Sequence, residues 1–258
     1  MKFRPLLSLS LLGLLAAAPL RAADPDYSAW NALLNGYYSP EKGMDYAGLK
    51  AKEQPRLDSL RGAMAKVRVA DLNPKELQAY WMNLYNITVT GMIADHYPLG
   101  SIKDLSTGLN PYSVFKKDWV RWEGGKMSLD TLEVERIRKG FKDPRIHFAV
   151  NCAARSCPAL RTEAYTGARL DEQLDDQVRR FLAGPNGARL ESSGGKVTIR
   201  VTKILKWFKD DFDQWGGGGE TFVKKYLSAA QQKQIAAAGG KVRFEYDDYD
   251  WKLNDWKR

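Results

Sequence analysis

The sequence predicts an α+β fold in which antiparallel hairpins and a central sheet pack against several amphipathic helices. Stretches with apolar residues at helical spacing recur along the 258-residue chain. Two pairs of β-favouring stretches are each separated by a Gly-Gly pair, which is typical of a hairpin. Helices and hairpins are mixed along the chain, which favours α+β over a doubly wound sheet.

The N-terminal half is predicted to be mainly helical. Residues 27–37 and 56–67 have apolar side chains at helical spacing and are expected to form two amphipathic helices. A third helix begins after Asn73, with Glu76 three residues further on as in a capping box, and it ends near Pro98. This start signal makes the third helix the most clearly defined element of the sequence.

Hairpins and helices alternate in the rest of the chain. One hairpin is predicted where residues 113–123 and 126–128 flank a Gly-Gly pair, and another where 188–191 and 196–201 do so. Periodicity predicts helices over 129–139, 170–182, 203–212, 220–227 and 229–238, and a last strand over 242–246.

The chain is organised around residues 143–160, DPRIHFAVNCAARSCPAL, which contain both cysteines and one of the two histidines. β-Favouring residues alternate with others over residues 145–151, which predicts a central strand. His147 and Asn151 would share the strand face away from the core. The strand would run into a small-residue turn that carries the thiols, which is a plausible place for chemistry.

The chain begins with a predicted secretory signal peptide, residues 1–22. A short basic head precedes an apolar run over 6–15 and a small-residue tail that allows cleavage near Ala22. The apolar run is too short for a membrane anchor, and no other stretch has about 18 uninterrupted apolar residues, so no transmembrane segment is expected. We therefore expect residues 23–258 to form one soluble α+β domain, either periplasmic or secreted.

The net charge restricts the class of partner. The formal charge of +9 falls to +6 when the three basic residues of the leader are removed. A moderately basic exported protein could bind a peptide or an anionic envelope polymer, and no nucleic-acid partner is expected. Net charge bears on solubility and on binding to charged partners, and not on the fold. The sequence therefore does not determine the oligomeric state.

The sequence lacks the common catalytic and cofactor motifs. It contains no G-x-S-x-G, G-x-G-x-x-G, H-E-x-x-H or C-x-x-C pattern. The spacing of His147, Cys152 and Cys157 matches no standard zinc pattern. No metal and no cofactor are expected.

Cys152 and Cys157 are separated by four residues, and two interpretations are open. In an oxidising compartment they would form a disulfide that closes the turn, provided that their Cα atoms lie within about 7 Å. Alternatively, one of them is a nucleophilic or redox thiol, whose ionised form Arg155 and His147 would favour. His147 is the natural partner for a thiol. It could equally be a buried histidine bonded to backbone.

Asn83 and Asn86 lie three residues apart on one face of the third helix. Buried amides need hydrogen-bond partners, so these two either clamp a neighbouring loop or orient a catalytic imidazole. Glu133 could share the orienting role. The residues predicted to contribute to binding are Asn151, Arg155, Ser156 and Tyr85.

Three motifs give the chain a family resemblance. Residues 143–160, with YWMNLYNITV at 80–89 and YDDYDWKLN at 246–254, resemble the domain of unknown function 547 family. The similarity extends over about residues 45–254. With the leader, it implies an exported bacterial member of that family, and it implies no particular activity.

The resemblance also distinguishes the two cysteines. Some eukaryotic relatives keep the cysteine that matches Cys152 and have serine in place of Cys157, which implies that Cys152 is the acting thiol. Many relatives have an acidic residue followed by histidine where this chain has Glu133 and Val134. The departure puts in doubt any role for a histidine at that place.

Three functions are compatible with these residues. The preferred interpretation is a disulfide-stabilised binding module with a cleft around His147 and Cys152. The second is a cysteine–histidine hydrolase or acyltransferase acting on envelope peptides, with Cys152 as nucleophile. The third is a redox partner that cycles the Cys152–Cys157 pair between thiol and disulfide. Whether the protein is an enzyme is left open by the sequence.

Overall fold

The computed structural model describes residues 24–239 and 242–256. Helices account for 55% of the structure and strands for 13%. The α+β fold class is therefore confirmed. The predicted signal peptide lies outside the described residues.

The α-helices carry most of the buried apolar side chains. They are α1 (Ser28–Tyr37), α2 (Tyr46–Gly48), α3 (Gln54–Met64), α4 (Pro74–His96), α5 (Leu129–Thr131), α6 (Lys139–Phe141), α7 (Leu170–Ala183), α8 (Ile204–Trp207), α9 (Lys209–Gly216), α10 (Gly218–Tyr226) and α11 (Ala229–Ala237). Two stretches are π-helical, Leu49–Glu53 and Leu132–Arg138. Short 3₁₀ helices cover Val69–Asp71, Ile102–Leu105, Ser113–Lys116, Pro144–Phe148 and Gly167–Arg169.

The strands form three small sheets among the described residues. Their bounds are β1 (Tyr38–Ser39), β2 (Gly43–Met44), β3 (Val120–Trp122), β4 (Gly125–Met127), β5 (Arg189–Ser193), β6 (Lys196–Val201) and β7 (Val242–Tyr246). Both predicted Gly-Gly hairpins are present, as the antiparallel pairs β3–β4 and β5–β6. The predicted last strand, β7, joins β6 in parallel.

The longest helix, α4, starts where the sequence predicted. The Asn73 side chain accepts hydrogen bonds from the N–H groups of Lys75 and Glu76, and the Glu76 carboxylate accepts one from the Asn73 N–H at 2.8 Å. This capping box satisfies backbone donors that an uncapped helix would leave free. Nearly the whole of α4 beyond its first turn is buried, so the other elements pack around it.

The predicted strand over residues 145–151 is wrong, because Pro144–Phe148 is a 3₁₀ helix. The Asp143 side chain accepts the Arg145 N–H at 3.0 Å, and Pro144 occupies the first helical position. Hydrogen bonds of the helical kind follow, such as the one from the Ala149 N–H to the Ile146 carbonyl at 2.9 Å. The local start signal therefore outweighs a short alternation. The sheets have only two or three strands each among the described residues, and α4 is the longest buried element.

Two clusters of buried apolar residues meet at this 3₁₀ helix. The larger surrounds α1, α3 and α4 and includes Ile146 and Ala149. The smaller joins α7, β6, α9 and α10 and includes Phe148. Phe148 stacks on Phe222 with the ring centroids 5.6 Å apart. Ile146 and Phe148, two residues of one short helix, thus belong to different clusters.

None of the helices over residues 24–239 and 242–256 has the length and apolar character needed to cross a membrane.

Candidate functional site

The residues after the 3₁₀ helix, 149–158, form a tightly held segment that we call the cysteine turn. The Asn86 side chain on α4 donates to the Ala149 carbonyl at 3.0 Å and accepts the Asn151 N–H at 2.9 Å. The Asn151 side chain in turn accepts the Ala153 N–H at 2.8 Å and donates to the Pro158 carbonyl at 2.6 Å. Two buried amides therefore fix the backbone on both sides of Cys152.

Asn83, one turn earlier on α4, holds the backbone of a different loop by a similar pair of hydrogen bonds. It donates to the Tyr165 carbonyl at 2.8 Å and accepts the Tyr165 N–H at 3.0 Å. The structure thus brings Asn86, Asn151 and Cys152 together, whereas Asn83, also on α4, bonds to a different loop at Tyr165. Both asparagines clamp backbone, which was one of the two alternatives, and neither is bonded to an imidazole.

The two cysteines are free thiols in contact, and no disulfide joins them. The Cys152 N–H donates to the Cys157 sulfur at 2.9 Å. The disulfide expected from their spacing is therefore not formed in this structure. Between them Ala153 has φ +61°, a left-handed conformation that is strained for a residue with a Cβ. This turn directs the Ala154 N–H at the Cys152 sulfur.

The environment separates the acidities of the two thiols. The pKa of Cys152 is lowered, chiefly because the Cys157 thiol donates a hydrogen bond to its sulfur, with further donors in the Tyr249 hydroxyl and the Ala154 N–H. Burial raises the pKa of Cys157 well above its usual value. The Tyr249 hydroxyl lies 3.4 Å from the Cys152 sulfur. Cys152 is therefore the sulfur that ionises first.

Arg155 does not have the expected role at the thiol. It lies 4.0 Å from Asp250 and lines a separate cavity of about 960 Å³. Ser156 is also occupied, because its hydroxyl accepts the Asp250 N–H at 2.8 Å. Both residues hold the segment 247–256 against the cysteine turn. Ala154 of the cysteine turn forms an antiparallel β-bridge with Leu253 of the same segment.

Cys152 opens onto a cavity of about 590 Å³, which we call the aromatic cavity. This volume is within the usual range for a small-molecule site. Seven aromatic rings line it: Tyr85, Tyr112, Phe115, Trp207, Phe208, Tyr249 and Trp251. The other reactive or charged side chains in its lining are Asp130, Glu133, Arg138, His147, Cys152 and Cys157. Tyr85, predicted from the sequence as a binding residue, is thus part of the wall.

His147 lines the cavity and is oriented by Asp211, a residue that the sequence analysis missed. The His147 Nε2 lies 2.7 Å from an Asp211 oxygen, and Arg138 donates two hydrogen bonds to the same carboxylate. Burial lowers the pKa of His147, so the neutral ring donates its Nε2 proton to Asp211. Its Nδ1 has no partner among the described residues. The ring also stacks on Phe208 at 3.9 Å.

Glu133 projects into the same cavity from the π-helix Leu132–Arg138. Its carboxyl has no hydrogen bond or ion pair with the rest of the described chain. Desolvation raises its pKa to about 7, and Asp130 and Asp211 add to the rise while Arg138 opposes it. A carboxyl that titrates near neutral pH can give and take protons.

We expect Glu133→Gln to stabilise the protein as the pH rises. The folded carboxyl keeps its proton up to about pH 7, whereas the unfolded one loses it near 4.5, so wild-type stability is lost across that window. The variant lacks this loss and should gain about 1–2 kcal/mol over wild type by pH 8, discounted for solvent in the cavity. Urea unfolding at pH 4, 6 and 8 measures the difference. Glu135→Gln, at an exposed position on the same helix, is the control and should show no such trend.

The acidic residues of the segment 247–256 form ordinary ion pairs. Arg189 pairs with Asp247 at 2.8 Å, and Lys203 with Asp248 at 2.6 Å. Within the parts of the chain that the structure describes, no group of three or more His, Cys, Asp or Glu residues could hold a metal ion.

The fold and the site define an α+β protein with a thiol at the edge of an aromatic cavity. Residues 69–182 match the family described as Protein of unknown function, DUF547, and this match supports a DUF547 family member. The matched region contains α4, Glu133 and the cysteine turn. Asp211 and Tyr249 lie beyond it. No curated protein and no solved structure matches the chain.

Proposed function

We propose that this protein is a thiol enzyme that hydrolyses or transfers an acyl group, with Cys152 as the nucleophile. The observation that carries the proposal is the position of Cys152. Its sulfur has a lowered pKa and lies on a cavity that also holds Glu133 and His147. A thiolate, a proton donor and an oriented imidazole are the groups that acyl transfer requires.

The chemistry divides between these three side chains. The Cys152 thiolate attacks the acyl carbon and forms a thioester, while the bond to the leaving group breaks and Glu133 gives that group its proton. Water then attacks the thioester and restores the thiolate. The lone pair of the His147 Nδ1 can take the proton from water, because Asp211 holds the Nε2 proton. His147 then gives this proton up and Glu133 takes one back, which returns both groups to their starting forms.

The predicted leader indicates the compartment in which this activity would take place. If the predicted leader is cleaved near Ala22, the enzyme works in the periplasm or outside the cell, where envelope peptides are the available acyl compounds. The aromatic wall fits a peptide better than an anionic polymer. Asp130 and Glu133 in the cavity lining would repel an anion.

Alkylation of the native protein tests the nucleophile. Without added reductant, iodoacetamide should modify Cys152 at least about tenfold faster than Cys157 at pH 7, because only the thiolate reacts. The rate should rise with pH to a midpoint below the ordinary thiol value of 9.0. Tyr249→Phe removes a hydroxyl donor to the sulfur and should raise that midpoint. Tyr246→Phe, at an exposed tyrosine, should leave it unchanged.

The same experiment separates the enzyme from the binding module. If neither cysteine reacts until reductant is added, the two are joined by a disulfide and cannot attack an acyl carbon. The protein would then be the disulfide-stabilised binding module, with its cleft around His147 and Cys152.

The contact between the two thiols favours a second candidate, dithiol redox chemistry. Here the Cys152 thiolate attacks a partner disulfide and releases one partner thiolate. Cys157 then attacks the mixed disulfide, which releases the second partner thiolate and leaves the Cys152–Cys157 pair oxidised. Cys157→Ser distinguishes the candidates. The redox route predicts that it accumulates a mixed disulfide, and the acyl-transfer route predicts that it still turns over.

A further inference from the structure

We infer that the aromatic cavity binds a cationic group, an ammonium such as that of a lysine side chain, between Asp130, Glu133 and the cavity-lining rings of Trp207 and Tyr249. The inference rests on the proposed function in one respect, that the bound molecule is the substrate. It adds the chemical class of that substrate: a peptide or related acyl compound carrying an amine.

The charges in the cavity lining are unbalanced. Asp130, Glu133 and Arg138 are the charged lining residues. Arg138 is already matched, because it donates two hydrogen bonds to Asp211, at 2.6 and 3.1 Å. Asp130 and Glu133 have neither a hydrogen bond nor an ion pair with any described residue. Both carboxyls are partly exposed in the cavity wall, so unpaired negative charge faces any ligand that enters.

The aromatic wall suits the same occupant. Arg138 lies over Phe208 at 4.9 Å and Lys103 over Trp251 at 4.0 Å, so rings of this wall already attract the protein's own cations. Trp207 and Tyr249, with ring centroids 4.9 Å apart, have no such cation among the described residues. Trp207 is 46% exposed. These two rings are therefore available to a ligand.

The groups that face the two carboxyls make the cavity attractive to a cation. Glu133 is acted on by Asp130, Asp211 and Arg138, and it faces Cys152, whose thiolate adds negative charge. The buried phenol of Tyr85 lies on the same cavity, and the charges of both carboxyls act on it. A bound ammonium would relieve the repulsion between these negative groups.

Asp130 has one additional neighbour. The exposed Lys116 acts on this carboxyl and opposes the rise in its pKa. Lys116 does not line the cavity. The cation that acts on Glu133 is Arg138, which is already paired with Asp211. Glu133 is therefore the principal carboxyl of the proposed cation site.

Binding can be measured without chemistry in the Cys152→Ser variant. Two peptides serve as probes, acetyl-Ala-Lys-Ala-amide and the same peptide with norleucine in place of lysine. Isothermal titration calorimetry at pH 7.5 should show the lysine peptide binding about tenfold or more tightly, because only the ammonium meets carboxylates and ring faces. The preference should fall towards equality after Glu133→Gln is added. The matched Glu135→Gln variant should keep it.

Equal affinity for the two peptides, or no binding by either, overturns the inference, as does a lysine preference that survives Glu133→Gln. The proposed function fails by a different readout, slow alkylation of Cys152 in the wild-type protein. A chain that prefers the lysine peptide but does not react with iodoacetamide would retain the cation site and lose the thiol enzyme.

Discussion

Replacing Phe148 by alanine should lower the free energy of unfolding by about 4 kcal/mol, the largest effect we expect from a single change. Phe148 is fully buried and contacts the rings of Phe181, Phe212 and Phe222. Its loss leaves a cavity among rigid aromatic neighbours, which close such a space poorly. The smaller apolar cluster would lose its anchor to the 3₁₀ helix Pro144–Phe148.

Chemical denaturation followed by tryptophan fluorescence measures this loss. Leu109→Ala is the control, because Leu109 is fully exposed and its truncation should change stability by less than about 0.5 kcal/mol. A loss well below about 3 kcal/mol for Phe148→Ala, roughly the lower limit for a buried aromatic, would contradict the role assigned to this ring.

Asn86→Ala should cost about 3 kcal/mol and also abolish the rapid alkylation of Cys152. The buried side chain satisfies the Ala149 carbonyl and the Asn151 N–H, so alanine leaves both backbone groups unpaired. Those groups lie immediately before Cys152. The backbone geometry that aims hydrogen-bond donors at its sulfur should therefore relax.

Asn83→Ala is a closely matched comparison. Asn83 lies on the same helix, is equally buried and bridges the carbonyl and N–H of Tyr165. It should be destabilising by a similar amount and leave Cys152 reactivity intact at temperatures where the protein is folded. If both variants lose the rapid alkylation alike, the effect reflects general loosening and not a clamp on the cysteine turn.

The sequence was a good guide to elements whose signals are local. The capping box at Asn73 predicted where α4 begins, because the cap and its partner are three residues apart. The two Gly-Gly hairpins formed for the same reason, since Gly125 and Gly195 adopt the positive φ angles that their turns require. In each case the residues that decide the structure are neighbours in the chain.

The site was harder to predict, because it depends on distant contacts. Asp211 lies 64 residues after His147, and no pattern in either segment indicates that the two pair. The raised pKa of Glu133 comes from burial, which exists only in the folded protein. The stretch 145–151 was misassigned because its alternation is short and local capping by Asp143 competes with it.

The contacts between the segment 247–256 and the Cys152 thiol can form only late in synthesis. Tyr249, whose hydroxyl contacts the Cys152 sulfur, follows Cys152 by 97 residues. The cysteine turn is therefore synthesised well before Tyr249. The same late segment supplies the backbone partners that pin Ala153 and Ala154. Until then the donors to the Cys152 sulfur are the nearby ones, the Cys157 thiol and the Ala154 N–H. The set of donors is complete only when the last part of the domain has folded against the cysteine turn.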